Sequence, residues 1–278
     1  MKSISPQKAA VQRLIELINS EYHRIITLDE LAETARYSKY HLERIFLRKT
    51  GLSIAQYISL VRIEKSKELL LDPRFSVSEV SAQVGYTSIS TFSRTFKEYV
   101  GVQPNLYRRL HRNLEERTEK ELFLTDNTPF FPSQSEKGII RGCLTADRPV
   151  KGVILIGLFS QPAPKGFPVS CTMLRETGTF ELEGAEDGHY YAFAVALEFP
   201  LYSPHYSTTT HSLRGRTHLP VRIQNGKATE AVAIHLRPPL VTDPPISVSP
   251  LYLLQNFVGR FPSREQSRIK KRDEIQVE

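Results

Sequence analysis

The chain contains one sequence pattern twice, and the second copy begins 49 residues after the first. The first copy runs from Thr27 as TLDELAETARYSKYHLERIFLRKTGLSIAQYI, and the second runs from Ser76 as SVSEVSAQVGYTSISTFSRTFKEYVGVQPNLYR. Matching residues are 49 apart up to Tyr37 and 50 apart from Ser38 onward, so one residue is inserted in the middle of the second copy. A repeat of this kind predicts two small structural units with the same fold.

Each copy is typical of two short helices joined by a tight turn. A hydroxyl residue followed three positions later by glutamate opens each copy, and this capping box predicts helices over 28–35 and 77–84. Gly85 supplies the backbone freedom that the second turn needs, so Arg36 must adopt the equivalent conformation in the first turn. The next helices are expected to begin at Ser38 and at Thr87 or Ser88, and to end before Gly51 and Gly101. This layout is the helix-turn-helix with which many proteins read the major groove of DNA.

Three further helices are predicted around the two copies. Apolar residues at helical spacing mark one helix over 7–22 and a longer one over 53–71, which Pro73 ends. Pro104 opens a closing helix that is expected to run to about His111. The first part of the chain is therefore predicted to be all helical.

The excess of positive over negative charge is confined to the part of the chain that carries the repeat. The 278 residues have a formal net charge of +7 and a pI near 9.3. Residues 1–112 carry 18 lysines and arginines against 11 acidic residues, whereas the remainder is balanced. Such a division is typical of a nucleic-acid-binding part joined to a neutral part with another task.

The second helix of each copy is the predicted reading helix. Its apolar residues fall on one face and are expected to pack inward; they are Leu42, Ile45 and Phe46 in the first copy, and Phe92, Phe96 and Tyr99 in the second. The outward residues are Lys39, Tyr40, Glu43 and Arg44 with His41 at the edge in the first copy, and Ser90, Thr91, Arg94 and Lys97 in the second.

Each outward residue type suits a particular contact with DNA. Arg44 and Arg94 can each donate two hydrogen bonds to a guanine. Tyr40 can pack on a thymine methyl group, and Glu43 can accept a hydrogen bond from a cytosine amino group. Phosphate contacts are expected from cations and capping hydroxyls, namely Ser38, Lys39, Lys49, Ser88 and Lys97. A single outward arginine on a helix is usually a solvated surface residue without a binding role. This prediction therefore depends on both copies carrying an arginine at the same position.

Three segments carry a resemblance to a known family: SKYHLERIF from Ser38, GLSIAQYISLVRIEKSKELL from Gly51, and VSEVSAQVGYTSISTFSRTFKEYVGVQPNLYR from Val77. Residues 8–110 resemble the DNA-binding domain of the AraC/XylS family of transcription regulators, and the first segment is similar to its short MarA/SoxS-like members. The resemblance implies seven helices, with two reading helices in successive major-groove segments on one face of the DNA.

The resemblance also bears on individual residues and on the order of the domains. It implies that the residues approaching bases are Tyr40, Glu43, Arg44, Ser90, Thr91 and Arg94. Relatives often carry glutamine at the positions of Ser90 and Glu43. The base preference of this chain is therefore expected to differ from theirs. Most members place this domain after a sensor, whereas here it comes first.

From Gly138 the pattern changes from helical to alternating. The predicted strands are 138–144, 151–159, 169–174, 178–183, 188–198, 219–224 and 229–236. The stretch GTFELEGAEDGHYYAFAVAL from Gly178 resembles a transthyretin-like or carboxypeptidase-regulatory β-sandwich. A cupin barrel is the competing β fold, but the His-x-His pair typical of it is missing from the sequence. The predicted fold class is therefore multidomain α + β, an all-α tandem helix-turn-helix domain followed by an all-β sandwich.

Four segments are predicted along the chain. A DNA-binding domain occupies 7–112, with its two helix-turn-helix units at about 28–50 and 77–100. An acidic and Pro/Ser-rich linker follows over 113–137. The β-sandwich occupies 138–259, and a charged tail occupies 260–278.

No catalytic residue, metal or cofactor is predicted in the second half. Its histidines lack the spacing of a metal site. Cys143 lies near Arg141, and Cys171 lies in an apolar strand, but neither matches the motif of an alkyl-transfer repair protein. The polar and aromatic stretch 202–216 is either a solvated loop or a loop that binds a ligand or partner.

The sequence therefore predicts a sequence-specific DNA-binding transcription regulator rather than an enzyme, with a C-terminal domain that senses a small-molecule effector or a protein. The alternatives are a DNA-bound scaffold with a protein-interaction sandwich and a cysteine-based alkyl-transfer repair protein. The expected partners are double-stranded DNA and RNA polymerase, and the chain is expected to act as a monomer or homodimer. No apolar run reaches membrane-spanning length and no signal peptide opens the chain, so no membrane contact and a cytoplasmic location are expected.

Overall fold

The computed structural model describes residues 5–115, 139–183, 185–198, 211–217, 219–250 and 252–253. Residues 5–115, here called the helical region, form seven helices: α1 (Pro6–Glu21), α2 (Leu28–Ala35), α3 (Lys39–Thr50), α4 (Ile54–Leu71), α5 (Val77–Gln83), α6 (Ile89–Val100) and α7 (Pro104–Glu115). The main correction to the predicted bounds is at α7, which continues past His111 to Glu115 because no glycine or proline interrupts that stretch. The predicted linker and tail otherwise lie outside the described residues.

The turn between α2 and α3 has the same backbone geometry as the turn between α5 and α6. Arg36 and Gly85 both adopt the left-handed conformation, with φ of 57° and 87°. Just beyond them, the Tyr37 N–H donates to the Ala32 carbonyl at 3.1 Å and the Tyr86 N–H donates to the Ser81 carbonyl at 3.0 Å. This hydrogen bond closes a Schellman motif in each turn. The sequence repeat is therefore also a repeat of local structure.

The same correspondence extends into the core of the helical region. Phe46 of α3 meets Tyr57 of α4 edge to face, with ring centroids 5.3 Å apart. Phe96 of α6 meets Tyr107 of α7 in the same way at 5.5 Å. All four rings belong to one continuous apolar cluster that includes residues of all seven helices. Because α4 packs against both helix pairs, it is the element that fixes one pair relative to the other.

Residues 139–250, as far as they are described, form the strand-rich region. Its strands are β1 (Ile139–Ala146), β2 (Gly152–Phe159), β3 (Ser170–Leu174), β4 (Gly178–Glu183), β5 (Gly188–Glu198), β6 (Arg214–Arg216), β7 (Val221–Gln224), β8 (Lys227–Ala228) and β9 (Val232–Leu236). One sheet has the order β4-β1-β9, and the other has the order β3-β2-β5-β7-β8 with β6 beside β5. All pairs are antiparallel except β1 with β9. Apolar side chains of both sheets share one core.

Two predictions for the strand-rich region were wrong. Residues 214–216, assigned to a loop by their polar character, form β6, because their backbone pairs with the edge left open by the long strand β5. The strand predicted over 229–236 is β9, which begins only at Val232, and the short strand β8 before it was missed: Asn225 and Gly226 turn the chain back, so that β8 pairs with β7 before β9 joins the other sheet.

The strand-rich region packs directly on the helical region. The Gly166 N–H donates to the Tyr99 carbonyl at 2.9 Å, and the Ser249 N–H donates to the Val100 carbonyl at 3.2 Å. Ala163, from the segment after β2, is buried within the apolar cluster of the helical region. These contacts meet the last turn of α6, where the helix carbonyls need partners from outside the helix.

Candidate nucleic-acid interface

Helix α3 presents a polar face to solvent, as its amphipathic pattern predicts. Leu42, Ile45 and Phe46 are fully buried beneath it. Tyr40 is 76% exposed, an unusual exposure for a large aromatic side chain in a folded domain. Lys39, Glu43, Arg44 and Lys49 are exposed as well. Lysine and arginine side chains clustered on one face are the electrostatic footprint of a nucleic-acid-binding surface.

Three predicted residues of this face touch one another. The Arg44 guanidinium lies 3.2 Å from Nδ1 of His41 and 5.9 Å from the centre of the Tyr40 ring. The His41 ring in turn packs at 5.1 Å against Tyr37 from the turn, which leaves it half-buried. The Arg44 side chain is therefore held in place by its neighbours.

Lys39 already has an acidic partner in the free protein. Its Nζ lies 2.5 Å from Oδ1 of Asp29 on α2, and both side chains are largely exposed. The hydroxyl of Ser38 accepts from the His41 N–H at 3.4 Å and so caps the same end of α3. The pair with Asp29 competes with any phosphate that Lys39 is expected to bind.

Helix α6 carries the second predicted set. Ser88, not Thr87, caps it, and its hydroxyl lies 2.7 Å from that of Ser90 and accepts from the Thr91 N–H at 3.4 Å. Ser90, Thr91, Arg94 and Lys97 are exposed, above the buried rings of Phe92 and Phe96. Arg94 is the sixth residue of α6, and Arg44 is the sixth residue of α3. Equivalent guanidinium groups thus project from equivalent helices.

Sequence reasoning missed several neighbours of α6. Gly166 and Phe167 of the strand-rich region line an open groove together with Ser90, Arg94 and Lys97. No local signal in the sequence could reveal this contact, because it joins residues about 70 positions apart and depends on how the two regions pack. Ile89, the first residue of α6, is an apolar side chain that is 47% exposed. Only its position directly after the cap Ser88 could have indicated from the sequence that it is exposed.

Comparison with known proteins bears on this helical region. A family model described as a helix-turn-helix domain matches residues 31–110. The chain is 35% identical over 112 residues to the Msm operon regulatory protein of Streptococcus mutans, which covers 40% of each protein. It is 30% identical over 98 residues to the multiple antibiotic resistance protein MarA of Salmonella typhimurium, which covers 35% of this chain and 77% of MarA. The chain belongs to the AraC family of DNA-binding transcription regulators.

The match to the AraC family lies in the N-terminal part of the chain. Among solved structures, the DNA-binding domain of AdpA in complex with a target DNA is 23% identical and has a TM-score of 0.37, covering 39% of this chain and 97% of that one. The chain spans less than half the length of the Streptococcus mutans relative. The residues that the family model matches, 31–110, all belong to the helical region.

The two cysteines occupy different surroundings in the AraC-family chain. Cys143 is exposed on β1, whereas Cys171 is buried on β3. Burial raises the pKa of the Cys171 thiol, which opposes formation of a nucleophilic thiolate. Within the described ranges, no group of three histidine, cysteine or acidic residues is placed to hold a metal ion. None of the described helices is long and apolar enough to cross a membrane.

Proposed function

We propose that the chain is a sequence-specific transcription regulator that binds double-stranded DNA through two helix-turn-helix units in tandem. The α2–α3 pair is the first unit, and the α5–α6 pair is the second. Helices α3 and α6 are the reading helices and enter adjacent segments of the major groove. Together they read a site longer than one unit could, without requiring a second copy of the chain.

One observation carries this proposal: Arg44 and Arg94 are exposed at the same position of two helices that share caps, turn geometry and terminating glycines. Chance placement of a solvated arginine does not account for this repetition, because the buried residues beside Arg44 on α3 also correspond to those beside Arg94 on α6. Bidentate contacts with guanine are expected from both side chains, each worth about 1–3 kcal/mol of discrimination against a wrong base. The excess positive charge of residues 1–112 supports phosphate contacts around them.

Within this proposal the other predicted residues have separate roles. Tyr40, Glu43, Ser90 and Thr91 contact base edges or the thymine methyl group, while His41 orients Arg44. Phosphate contacts come from Ser38, Lys39, Lys49, Ser88 and Lys97. The expected contact with RNA polymerase belongs to the same proposal and has no residue assigned to it.

The strand-rich region is proposed to be a β-sandwich that senses a small molecule or binds a protein. Its two sheets share one apolar core, which supports a two-layer arrangement. Its contacts with the end of α6 and with α4 support communication with the reading helices. The proposed domain boundaries follow the prediction from sequence, with the helical domain ending near Glu115.

The test is a selection of bound oligonucleotides from a random pool, followed by titrations of the intact chain with the selected duplex. Arg44→Ala and Arg94→Ala are each expected to lose preference at one base pair, by about fivefold to a hundredfold. Arg222→Ala, which removes the same charge from the exposed face of β7, is the matched control and should leave site choice unchanged. If both reading-helix variants keep the full preference of the parent, the proposed assignment of the reading faces is wrong.

A further inference from the structure

The open groove beside α6, here called the α6 groove, is lined by both regions of the chain and has a volume of about 700 Å³. Ser90, Arg94 and Lys97 line it from the helical region, and Gly166 and Phe167 line it from the strand-rich region, in the segment that follows β2. The three residues of α6 are also part of the proposed DNA-reading face. An occupant of the groove therefore meets that face and the strand-rich region at once.

The charge of the α6 groove suits a polyanion. Among the described residues that line it, Arg94 and Lys97 are the cations and Glu98 is the acid. Glu98 forms an ion pair with Lys165, whose Nζ also lies 4.8 Å from the centre of the Tyr99 ring. Within the described part of the chain, no ion pair engages Arg94 or Lys97. The groove therefore keeps the positive charge of α6, because the acid beside it is neutralised from the strand-rich region.

Phe167 gives the groove an apolar surface in a fixed position. It is 42% exposed, and its ring centre lies 4.9 Å from that of Tyr252. The ring also lies against Gly101, where an added Cβ would be 2.8 Å from it, so the close approach depends on glycine at the cap of α6. The Gly166 N–H donates to the Tyr99 carbonyl at 2.9 Å and ties this segment to the last turn of the reading helix.

We propose that the strand-rich region adds a third contact with DNA, in which the sugar-phosphate backbone of one strand lies in the α6 groove. A phosphate binds Lys97, and a deoxyribose packs on the ring of Phe167. The major groove is bounded by a backbone on each side, so a helix whose Arg94 reaches a base edge has a backbone beside it. Contacts with phosphate and sugar carry no sequence information but fix the position of a protein on the duplex. The inference rests on the proposed function, because it requires α6 to enter the major groove.

Charged substitutions of Phe167 test this contact, in titrations of the intact chain with the selected duplex. Phe167→Lys is expected to raise the affinity by about threefold and to steepen its log–log dependence on salt by about one unit. Phe167→Glu should lower the affinity by about fivefold and flatten that dependence. Phe167→Gln, the uncharged control, should lower it slightly through loss of the apolar contact. The preference at the base pair that Arg94 reads should stay unchanged in all three variants.

Leu240 is the matched control position. It lies in the strand-rich region, is 52% exposed, and faces residues of α1 and α4 instead of the α6 groove. Leu240→Lys and Leu240→Glu change the net charge of the chain in the same way as the Phe167 variants. Each is expected to alter the affinity by less than about twofold, since physiological salt screens charges more than about 8 Å from the DNA.

Photocrosslinking measures the contact directly. A p-benzoylphenylalanine residue placed at position 167 keeps an aromatic ring there and is expected to form a covalent adduct with the selected duplex on irradiation. The same residue placed at position 240 is expected to form none. Both proteins are irradiated with the duplex at a concentration that saturates binding, so the comparison does not depend on affinity.

Two results would overturn the inference and leave the proposed DNA binding intact. One is that the Lys and Glu variants of Phe167 bind the duplex equally well, because position 167 would then affect α6 only through packing. The other is that position 167 gives no more adduct than position 240 in the saturated complex. If the parent chain selects no duplex at all, the proposed function fails, and this inference fails with it.

Discussion

At the scale of single residues, Lys39 and Lys97 are expected to bind phosphates rather than bases. Replacing either with alanine should weaken binding to every duplex and flatten the log–log dependence of affinity on salt by about one unit. Lys97→Ala should lower the affinity more than Lys39→Ala does, because Lys39 must break its ion pair with Asp29, 2.5 Å away, before it can bind a phosphate. Asp29→Asn should raise affinity for the same reason. Dissociation constants measured over a series of salt concentrations check this, and a loss confined to one sequence would contradict it.

His111 gives the stability of the protein a predictable dependence on pH. Burial, followed by the charge of Lys67, lowers the pKa of His111 from 6.5 to about 3. Between those values the unfolded chain takes up a proton that the folded chain does not, so stability is lost as the pH falls below about 6.5. The contribution is up to about 1.4 kcal/mol per pH unit.

The variant His111→Phe isolates this contribution. It keeps a ring against Tyr107, whose ring centre lies 4.5 Å from that of His111, and removes the titrating group. Denaturant unfolding between about pH 6.5 and pH 4 should show a shallower loss of stability in the variant than in the parent. Equal slopes would mean that His111 becomes protonated without disturbing the fold.

At the scale of elements, the two turns provide a matched pair of substitutions. Arg36 has a φ of 57°, a conformation that costs a non-glycine residue energy, so Arg36→Gly should raise the free energy of unfolding by about 0.5–1 kcal/mol. Gly85→Ala should lower it by more than that, because φ is 87° and an added Cβ would lie 2.5 Å from the His23 carbonyl oxygen. Chemical denaturation of both variants measures the two effects, and the same sign for both would refute the proposed equivalence of the turns.

The elements also differ in how well the sequence predicted them. Helices α2, α3, α5 and α6 were predicted closely, because capping hydroxyls and left-handed residues are local signals that act within one turn. Strand β6 was missed, because Arg214–Arg216 has no alternating pattern and becomes a strand only by pairing with β5. Helical periodicity correctly predicted the exposed faces of α3 and α6. It did not predict the ion pair between Lys39 and Asp29, which lie on different helices.

At the scale of the whole molecule, the junction between the two regions should stabilise the helical one. A fragment of residues 1–115 is expected to fold and to bind the selected duplex with the site preference of the intact chain. Its free energy of unfolding should be lower, because Lys67 loses the Ile246 carbonyl 3.4 Å away and the carbonyls of Tyr99 and Val100 lose their partners. Thermal unfolding and DNA titration of the two proteins compare these properties, and an unfolded fragment would contradict the expectation.

The sequence by itself determined the helical repeat, its capped turns and the equivalent positions of Arg44 and Arg94. Each of these depends on interactions within a few residues of the chain, so the pattern of residue types is sufficient to predict it. Only the tertiary structure decided that β6 exists, that the strand-rich region meets the end of α6, and that Lys67 of α4 donates to the Ile246 carbonyl. These features join residues that are distant in sequence, from about 20 positions between β5 and β6 to 179 between Lys67 and Ile246. They depend on tertiary packing, which the pattern of residue types within one segment does not predict.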